Sequence, residues 1–283
     1  DRPDLAMEQD FLLTMDPALG RPAPERLFGV YAQIKASQKH PIPGTPGSIT
    51  SPWVERGPSN VGGRTRAIMF DPNDPTYKKV WAGGVSGGLW FNNDITSPTS
   101  TWTAVDDFWD NIAVTCIAYN PNNTQEIYVG TGEGFFNGGA QRGGGIWKTS
   151  NGGTTWAQLG STDPGAYNSS NHFHYINKIV IKNDGTIFAA TRGYYINWGG
   201  IIRSTNGGTS WSRVLSVYTA STTRYDRAAD IEIAANGDLY ASFGVFSEAK
   251  VYKSTNANNG NIGSWTDLST NIVMGGAMRV ELA

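Results

Sequence analysis

The sequence predicts an all-β chain built as an antiparallel propeller of four-stranded blades. Two observations carry this. Trp102, Trp156, Trp211 and Trp265 recur every 54 or 55 residues, and a fixed period of this size marks a repeated supersecondary unit. Composition agrees: 35 glycines, 33 aromatic residues (10 Trp, 12 Tyr, 11 Phe) and only 16% charged residues favour short strands and tight turns over helices.

Each period has the same internal order. A first apolar run (Thr65–Phe70, Val114–Tyr119, Ile176–Ile181, Ala228–Ala234) leads into a turn, and a second run follows (Val80–Ala82, Ile127–Gly130, Ile187–Ala190, Leu239–Ser242). The turns include Asn183-Asp184-Gly185 and Asn236-Gly237-Asp238. Asn and Gly accept φ > 0 at low cost, so such turns close hairpins. A glycine-rich or aromatic loop then precedes a third run (Gly88–Phe91, Gly145–Lys148, Gly200–Arg203, Lys250–Lys253), and a polar turn carries the chain to a fourth strand at the Trp. Four antiparallel strands per period make a propeller blade.

The flanks read differently. Residues 1–38 form a helical segment: Leu27, Val30, Tyr31 and Ile34 lie on one helix face behind Pro24, and Asp4–Thr14 is a shorter helix stopped by Asp16-Pro17 and Gly20. Residues 39–52 are a proline-rich linker, and 53–283 are the propeller. Met274–Ala283 reads as the first strand of a fifth blade, which predicts that the natural chain continues. A start at Asp1 fits a removed leader or a piece of a longer protein.

Composition also excludes. A net charge of −2 leaves no overall electrostatic footprint for nucleic acid or an anionic membrane. The longest apolar stretch, near Ile112–Tyr119, is far short of the roughly 20 residues of a membrane helix. A single cysteine, Cys116, gives no internal disulfide framework and reads as a small core residue.

Thr149-Ser150-Asn151-Gly152-Gly153-Thr154-Thr155-Trp156 and Ser204-Thr205-Asn206-Gly207-Gly208-Thr209-Ser210-Trp211 resemble the Asp-box, or bacterial neuraminidase repeat, with Asn in the Asp position. The Asx side chain accepts backbone N–H groups of its own turn. The glycines take φ > 0. The Trp packs between sheets, and at 150–250 Å² this is about 4–6 kcal/mol of gross burial per blade. The outer two blades carry altered versions, from Asp94 to Trp102 and from Asn256 to Trp265.

The opening residues (Asp1-Arg2-Pro3-Asp4 through Pro24-Glu25-Arg26-Leu27) and the first blade (Gly57-Pro58, Gly62-Gly63-Arg64, Gly87-Gly88-Leu89-Trp90) resemble large propeller proteins exported by the type IX secretion system of the Bacteroidota. That resemblance implies a secreted or outer-surface protein, the type IX translocon as a partner during export, and adhesion, glycan binding or gliding-associated display as its use.

Alternating strand direction puts the loops between second and third strands on one face with the interblade loops. Glu133, Phe135, Phe136, Tyr194, Tyr195 and Trp198 come from the first set; Phe108, Trp109, Tyr167, Phe173 and Tyr175 come from the second. Aromatic faces stack on sugars or receive apolar side chains, so this face is a candidate site for a glycan or surface-protein ligand. The alternative is that the rings pack beneath long loops.

Catalysis has less support. Arg64 and Arg66 lack the Arg-Ile-Pro context of sialidases. Xyloglucan-cleaving glycosidases resemble the repeat more closely, but their first-blade catalytic aspartate falls at Val85, in Ala82-Gly83-Gly84-Val85-Ser86-Gly87-Gly88. Glycoside hydrolysis needs two carboxylates about one bond. Glu133, Asp106, Asp107, Asp110, Asp226 and Asp230 are available, and no spacing selects a pair. His172 and His174 are two ligands without a third, so no metal or cofactor is expected. Asp71-Pro72-Asn73-Asp74 reads as a strand-connecting turn ahead of a calcium loop. Asn122-Asn123-Thr124 and Asn168-Ser169-Ser170 match the glycosylation triplet, idle in a bacterium. The reading is a non-enzymatic binding or adhesion protein; the alternatives are a xyloglucanase-like hydrolase and a sortilin-like propeller that takes peptide in its tunnel.

Overall fold

The computed structural model describes residues 3–22, 29, 33, 64–106, 109, 113–135, 141–165, 171–193, 198–219, 224–225, 227–245, 249–271 and 279–283. The chain divides into two compact units, Asp1–Asn60 and Val61–Ala283. In the first, helix α1 (Pro3–Thr14) is followed by a two-residue hairpin, β1 (Met15–Asp16) on β2 (Arg21–Pro22). Asp16 closes its turn by accepting the Ala18 amide at 2.8 Å, and Gly20 takes φ 64°. Of the expected helix through Leu27–Ile34 only Gly29 and Gln33 are described, both helical; the linker 39–52 falls outside the described residues.

The second unit is four sheets of four antiparallel strands, each in simple meander order. Blade 1 is β3 (Thr65–Phe70), β4 (Val80–Gly84), β5 (Gly88–Asn92) and β6 (Thr103–Ala104). Blade 2 is β7 (Val114–Asn120), β8 (Asn123–Thr131), β9 (Ile146–Thr149) and β10 (Ala157–Gln158). Blade 3 is β11 (Tyr175–Ile181), β12 (Ile187–Arg192), β13 (Gly199–Ser204) and β14 (Ser212–Leu215). A small hairpin, β15 (Tyr218–Thr219) with β16 (Arg224–Tyr225), precedes blade 4, which is β17 (Ala228–Ile233), β18 (Leu239–Phe243), β19 (Lys250–Ser254) and β20 (Thr266–Asp267).

Among the described residues the core lies in three apolar seams between consecutive blades. Trp81, Leu89, Val129 and Trp147 fill the first, Tyr128, Ile146, Ile176 and Ile202 the second, and Phe188, Ile201, Ile231 and Leu239 the third. Strands buried on both faces in this way read as near-continuous apolar runs.

The Asn-Gly-Gly turns bolt each blade to the one before it. Asn151 Oδ1 accepts the Thr155 amide at 2.9 Å, and its Nδ2 donates to Thr155 Oγ1 at 2.9 Å; Asn206 repeats both bonds with Ser210. Trp156 and Trp211 donate their indole N–H to Gly153 and Gly208 carbonyls at 3.0 and 3.1 Å. Gly153 has φ 91° and rests on the Trp81 indole of blade 1; Gly208, φ 89°, rests on Leu159 of blade 2.

The fourth blade departs from the expectation for Asn256. That residue does not cap the turn: its amide donates to Asp238 Oδ1 at 2.8 Å and its side chain accepts Lys182 Nζ at 2.8 Å. Residues inserted after Asn256, before and after the tight glycine, shift the role to Gly260, whose amide donates to Ser254 Oγ and whose carbonyl accepts Trp265 Nε1 at 3.3 Å. In blade 1, Asp94 accepts the Thr96 amide and hydroxyl, while Asn92 Oδ1 takes the Asp94 amide and the Ser100 hydroxyl. Trp102 is 43% exposed, with no preceding blade among the described residues to cover it.

An irregularity shared by all four blades was not expected. The first strand slips register at one residue, which stands unpaired opposite the second strand: Arg66, Thr115, Asn177 and Ala229. These are β-bulges, which re-aim a side chain and bend the strand.

Two glycines separate backbone strain from packing. Gly185 has φ 81° and open space around its Cα, so Gly185→Ala is expected to cost about 1–2 kcal/mol, the left-handed penalty alone. Gly153→Ala must also displace Trp81 and is expected to cost about 1–3 kcal/mol more. Urea unfolding midpoints of the two variants measure the difference.

Candidate functional site

The inner strands β3, β7, β11 and β17 surround a channel. At one end, the bulges and the loops between second and third strands meet around Glu133-Gly134-Phe135. Glu133 is 1% exposed, and its Oε2 accepts Arg64 Nη2 at 2.5 Å. The Gly134 amide donates to Asn177 Oδ1 at 3.1 Å, and a Cβ there would collide with that amide side chain. Arg192 Nη1 reaches the Gly134 carbonyl at 3.5 Å and stacks over Tyr175 at 4.3 Å. Arg66 and Arg279 each stand 4.2 Å from the Phe135 ring centroid. Four arginines from three separate stretches of chain therefore converge on three residues that carry one carboxylate.

The charge crowding is visible in the guanidinium equilibria. Burial and then the Arg66 charge hold Arg279 below the usual arginine range, with Glu133 and Asp230 opposing. Burial, with a further push from Arg227, brings Arg192 down to about 10. Deeper in the channel Lys178 pairs with Glu232 and lies 4.0 Å from Asp230.

The predicted binding residues divide three ways. Glu133 and Phe135 do meet at the channel mouth, but as held groups: one carboxylate is sealed by Arg64, and one ring is covered by two guanidiniums. Trp198, in the next such loop, is half-buried with its ring 4.9 Å from His172. Phe136, Tyr194 and Tyr195 fall outside the described residues, as do Phe108 and Tyr167. The remaining interblade rings are buried in or beside the seams: Trp109 stacks on Trp147 at 4.4 Å, Phe173 meets Trp211 edge-on at 5.4 Å, and Tyr175 lies beneath Arg192. They have the packing role weighed against ligand contact.

The other candidate groups are committed locally. Asp230 accepts the Ile231 amide and, through Oδ2, the Leu282 amide at 2.9 Å. Asp71 accepts Asn73 N–H, Trp81 Nε1 and Lys79 Nζ; burial raises its pKa, and these bonds more than offset that, holding it below the usual range. Asp74 caps the same turn through the Thr76, Lys78 and Lys79 amides. His174 Nδ1 accepts Arg142 Nε at 2.8 Å, whereas His172 Nδ1 accepts the Gly199 amide at 3.0 Å, so the two rings serve different elements. Burial pushes the Cys116 thiol up to about 12. Asp106 is exposed in the loop that follows β6; Asp107, Asp110 and Asp226 fall outside the described residues.

At the opposite ends of the inner strands lies a cavity of about 860 Å³. Met69, Ile117, Tyr119, Ile181 and Ile233 wall it, and Lys182 and Asp184 sit at its rim. The aromatic-loop criterion pointed to the other face and missed this cavity. Apolar residues late in the first strands are its only trace in the sequence.

No family model and no curated protein matches the chain. Among solved structures it is similar to an ancestral GH74 enzyme, 20% identical with a TM-score of 0.52 over 75% of this chain and 26% of that one. It is also similar to the GH74 xyloglucanase from Xanthomonas campestris (18% identical, TM-score 0.42, 74% of this chain and 38% of that one). A third is YCF48 from Cyanidioschyzon merolae (15% identical, TM-score 0.44, 72% and 55%). The fold is a β-propeller. At these identities the likeness extends to the fold alone, and the chain spans only 26% of the first enzyme's length.

Two outcomes follow for the propeller. Removing the carboxylate in Glu133→Gln is expected to cost about 1–2 kcal/mol, below the value for a fully buried pair because Arg64 can turn to water. Denaturant titration of the variant reads this. Burial and then the Arg213 charge lower His172 from the ordinary histidine range to about 4. The unfolded chain takes up that proton near 6.5 and the folded chain only near 4, so stability is expected to be full above pH 6.5 and to fall as the pH drops toward 4. His172→Gln should flatten that part of the pH dependence of the unfolding midpoint.

Proposed function

We propose that this chain belongs to a secreted or cell-surface binding protein that performs no bond chemistry. It is exported through the type IX secretion translocon and holds a glycan or surface-protein ligand for adhesion or gliding-associated display. The observation that carries the reading is the state of Glu133. Among the described residues of the loops between second and third strands it is the one candidate carboxylate, and its side chain is buried against Arg64 rather than presented to a ligand; Asp106, in the loop after β6, is exposed. Asp230 is likewise occupied by backbone amides. Val85, at the position where the xyloglucanase resemblance puts an aspartate, is buried, and its amide donates to the Arg64 carbonyl at 3.0 Å. The Asp-box resemblance of the turns and the type IX resemblance of the leader support export and display.

The 860 Å³ cavity favours a second reading, a peptide taken in the channel as in sortilin-like propellers. Competition separates the two: a ligand of the loop mouth is insensitive to a bulky Ile117→Trp substitution at the cavity wall, and a channel peptide is not.

The expected result on a panel of xyloglucan, related glucans and acidic glycans is saturable binding with no new reducing ends. Reducing ends whose release Asp110→Asn abolishes would overturn the binding reading. Appearance of the protein outside the cell should be lost when the translocon is deleted.

A further inference from the structure

We propose that the loop-side mouth of the channel is a binding site for a polyuronate glycan, with successive sugar carboxylates seated on Arg66 and Arg279. This rests on the binding reading above and names its ligand class. Both guanidiniums stand 4.2 Å from the Phe135 ring centroid, so they lie no more than about 8 Å apart, within reach of carboxylates on neighbouring sugars. A guanidinium stacked on a ring still has its N–H donors in its own plane, pointing past the ring edge. Its orientation is fixed before any ligand arrives, which lowers the ordering cost of a bidentate carboxylate contact.

Arg66 forms no ion pair with any described residue, and the one partner of Arg279, Glu281, is exposed and displaceable. Arg64 already shows the chemistry of this mouth, since it holds a carboxylate at 2.5 Å. The bulge that aims Arg66 is a backbone feature of every blade, so its direction does not depend on the ligand. Trp198, in the adjacent loop, is half-buried with its ring against His172. A glycan is favoured over an acidic peptide because its carboxylates repeat along a stiff backbone that spans both arginines at a smaller entropy cost.

The test is calorimetric titration of the chain with hexagalacturonate, its methyl ester, a neutral cello-oligosaccharide and a poly-Glu peptide, at low salt and at about 0.15 M salt. The expected result is binding of the acid that weakens with salt, and loss of about tenfold or more on methyl esterification and in Arg66→Gln and Arg279→Gln. Arg66→Lys keeps the charge but lacks the planar fork and should lose nearly as much, with an unchanged unfolding midpoint showing that the fold survives. Equal binding of the methyl ester or the neutral sugar, tighter binding of poly-Glu, or no binding of hexagalacturonate would each overturn the proposal and leave the non-enzymatic reading standing. New reducing ends from hexagalacturonate would overturn that reading instead.

Discussion

The constraint on which this propeller depends is the bulge near the start of every inner strand. Inner strands of neighbouring blades face one another across the channel wall without pairing, so backbone carbonyls at the seam need side-chain donors. The bulged residue supplies them. Thr115 Oγ1 donates to the Ile176 carbonyl at 2.5 Å, and Asn177 Nδ2 donates to the Ala228 carbonyl at 2.8 Å. Blade 4 has Ala229 at this position, and there Ser242 Oγ bonds the Val280 carbonyl while Asp230 takes the Leu282 amide. In blade 1 the same position is Arg66. A slot that is structural in two blades becomes a cation over Phe135 in a third.

Much of the fold was legible because each blade meets the same burial requirement again. The Trp period, the hairpin turns and the runs at Ile176–Ile181 and Leu239–Ser242 are local consequences of one sheet packed on two neighbours. The bulge was not legible. Arg, Thr, Asn and Ala share no side-chain property, and a one-residue slip inside an apolar run leaves no mark on a run buried on both faces. Asn256 misled for a related reason: Ser254-Thr255-Asn256 keeps the letters of the turn, but the insertion after it moves the tight glycine to Gly260 and leaves Asn256 to hold Lys182.

The site was legible only in part. Glu133 and Phe135 stood out as a charged and an aromatic residue in a glycine-rich loop, and both are at the channel mouth. Their partners were out of reach of local pattern: Arg64 and Arg66 come from blade 1, Arg192 from blade 3, and Arg279 from beyond blade 4. Aromatic residues in loops look the same in sequence whether they face a ligand or roof a seam. Trp109 and Phe173 roof seams because Trp147 on β9 and Trp211 in the turn before β14 offer them ring contacts.

The two ends of the inner strands are chemically unequal. Arg64, Arg66 and Glu133 collect near the bulges, whereas Ile117, Ile181 and Ile233, late in the strands, line the cavity at the other end. Between the two, Lys178 stands against two carboxylates, Glu232 and Asp230. Positive charge is thus concentrated at one mouth on a chain whose net charge is −2. A field of that shape comes from the placement of a few arginines by backbone geometry, which neither overall charge nor any single motif reports.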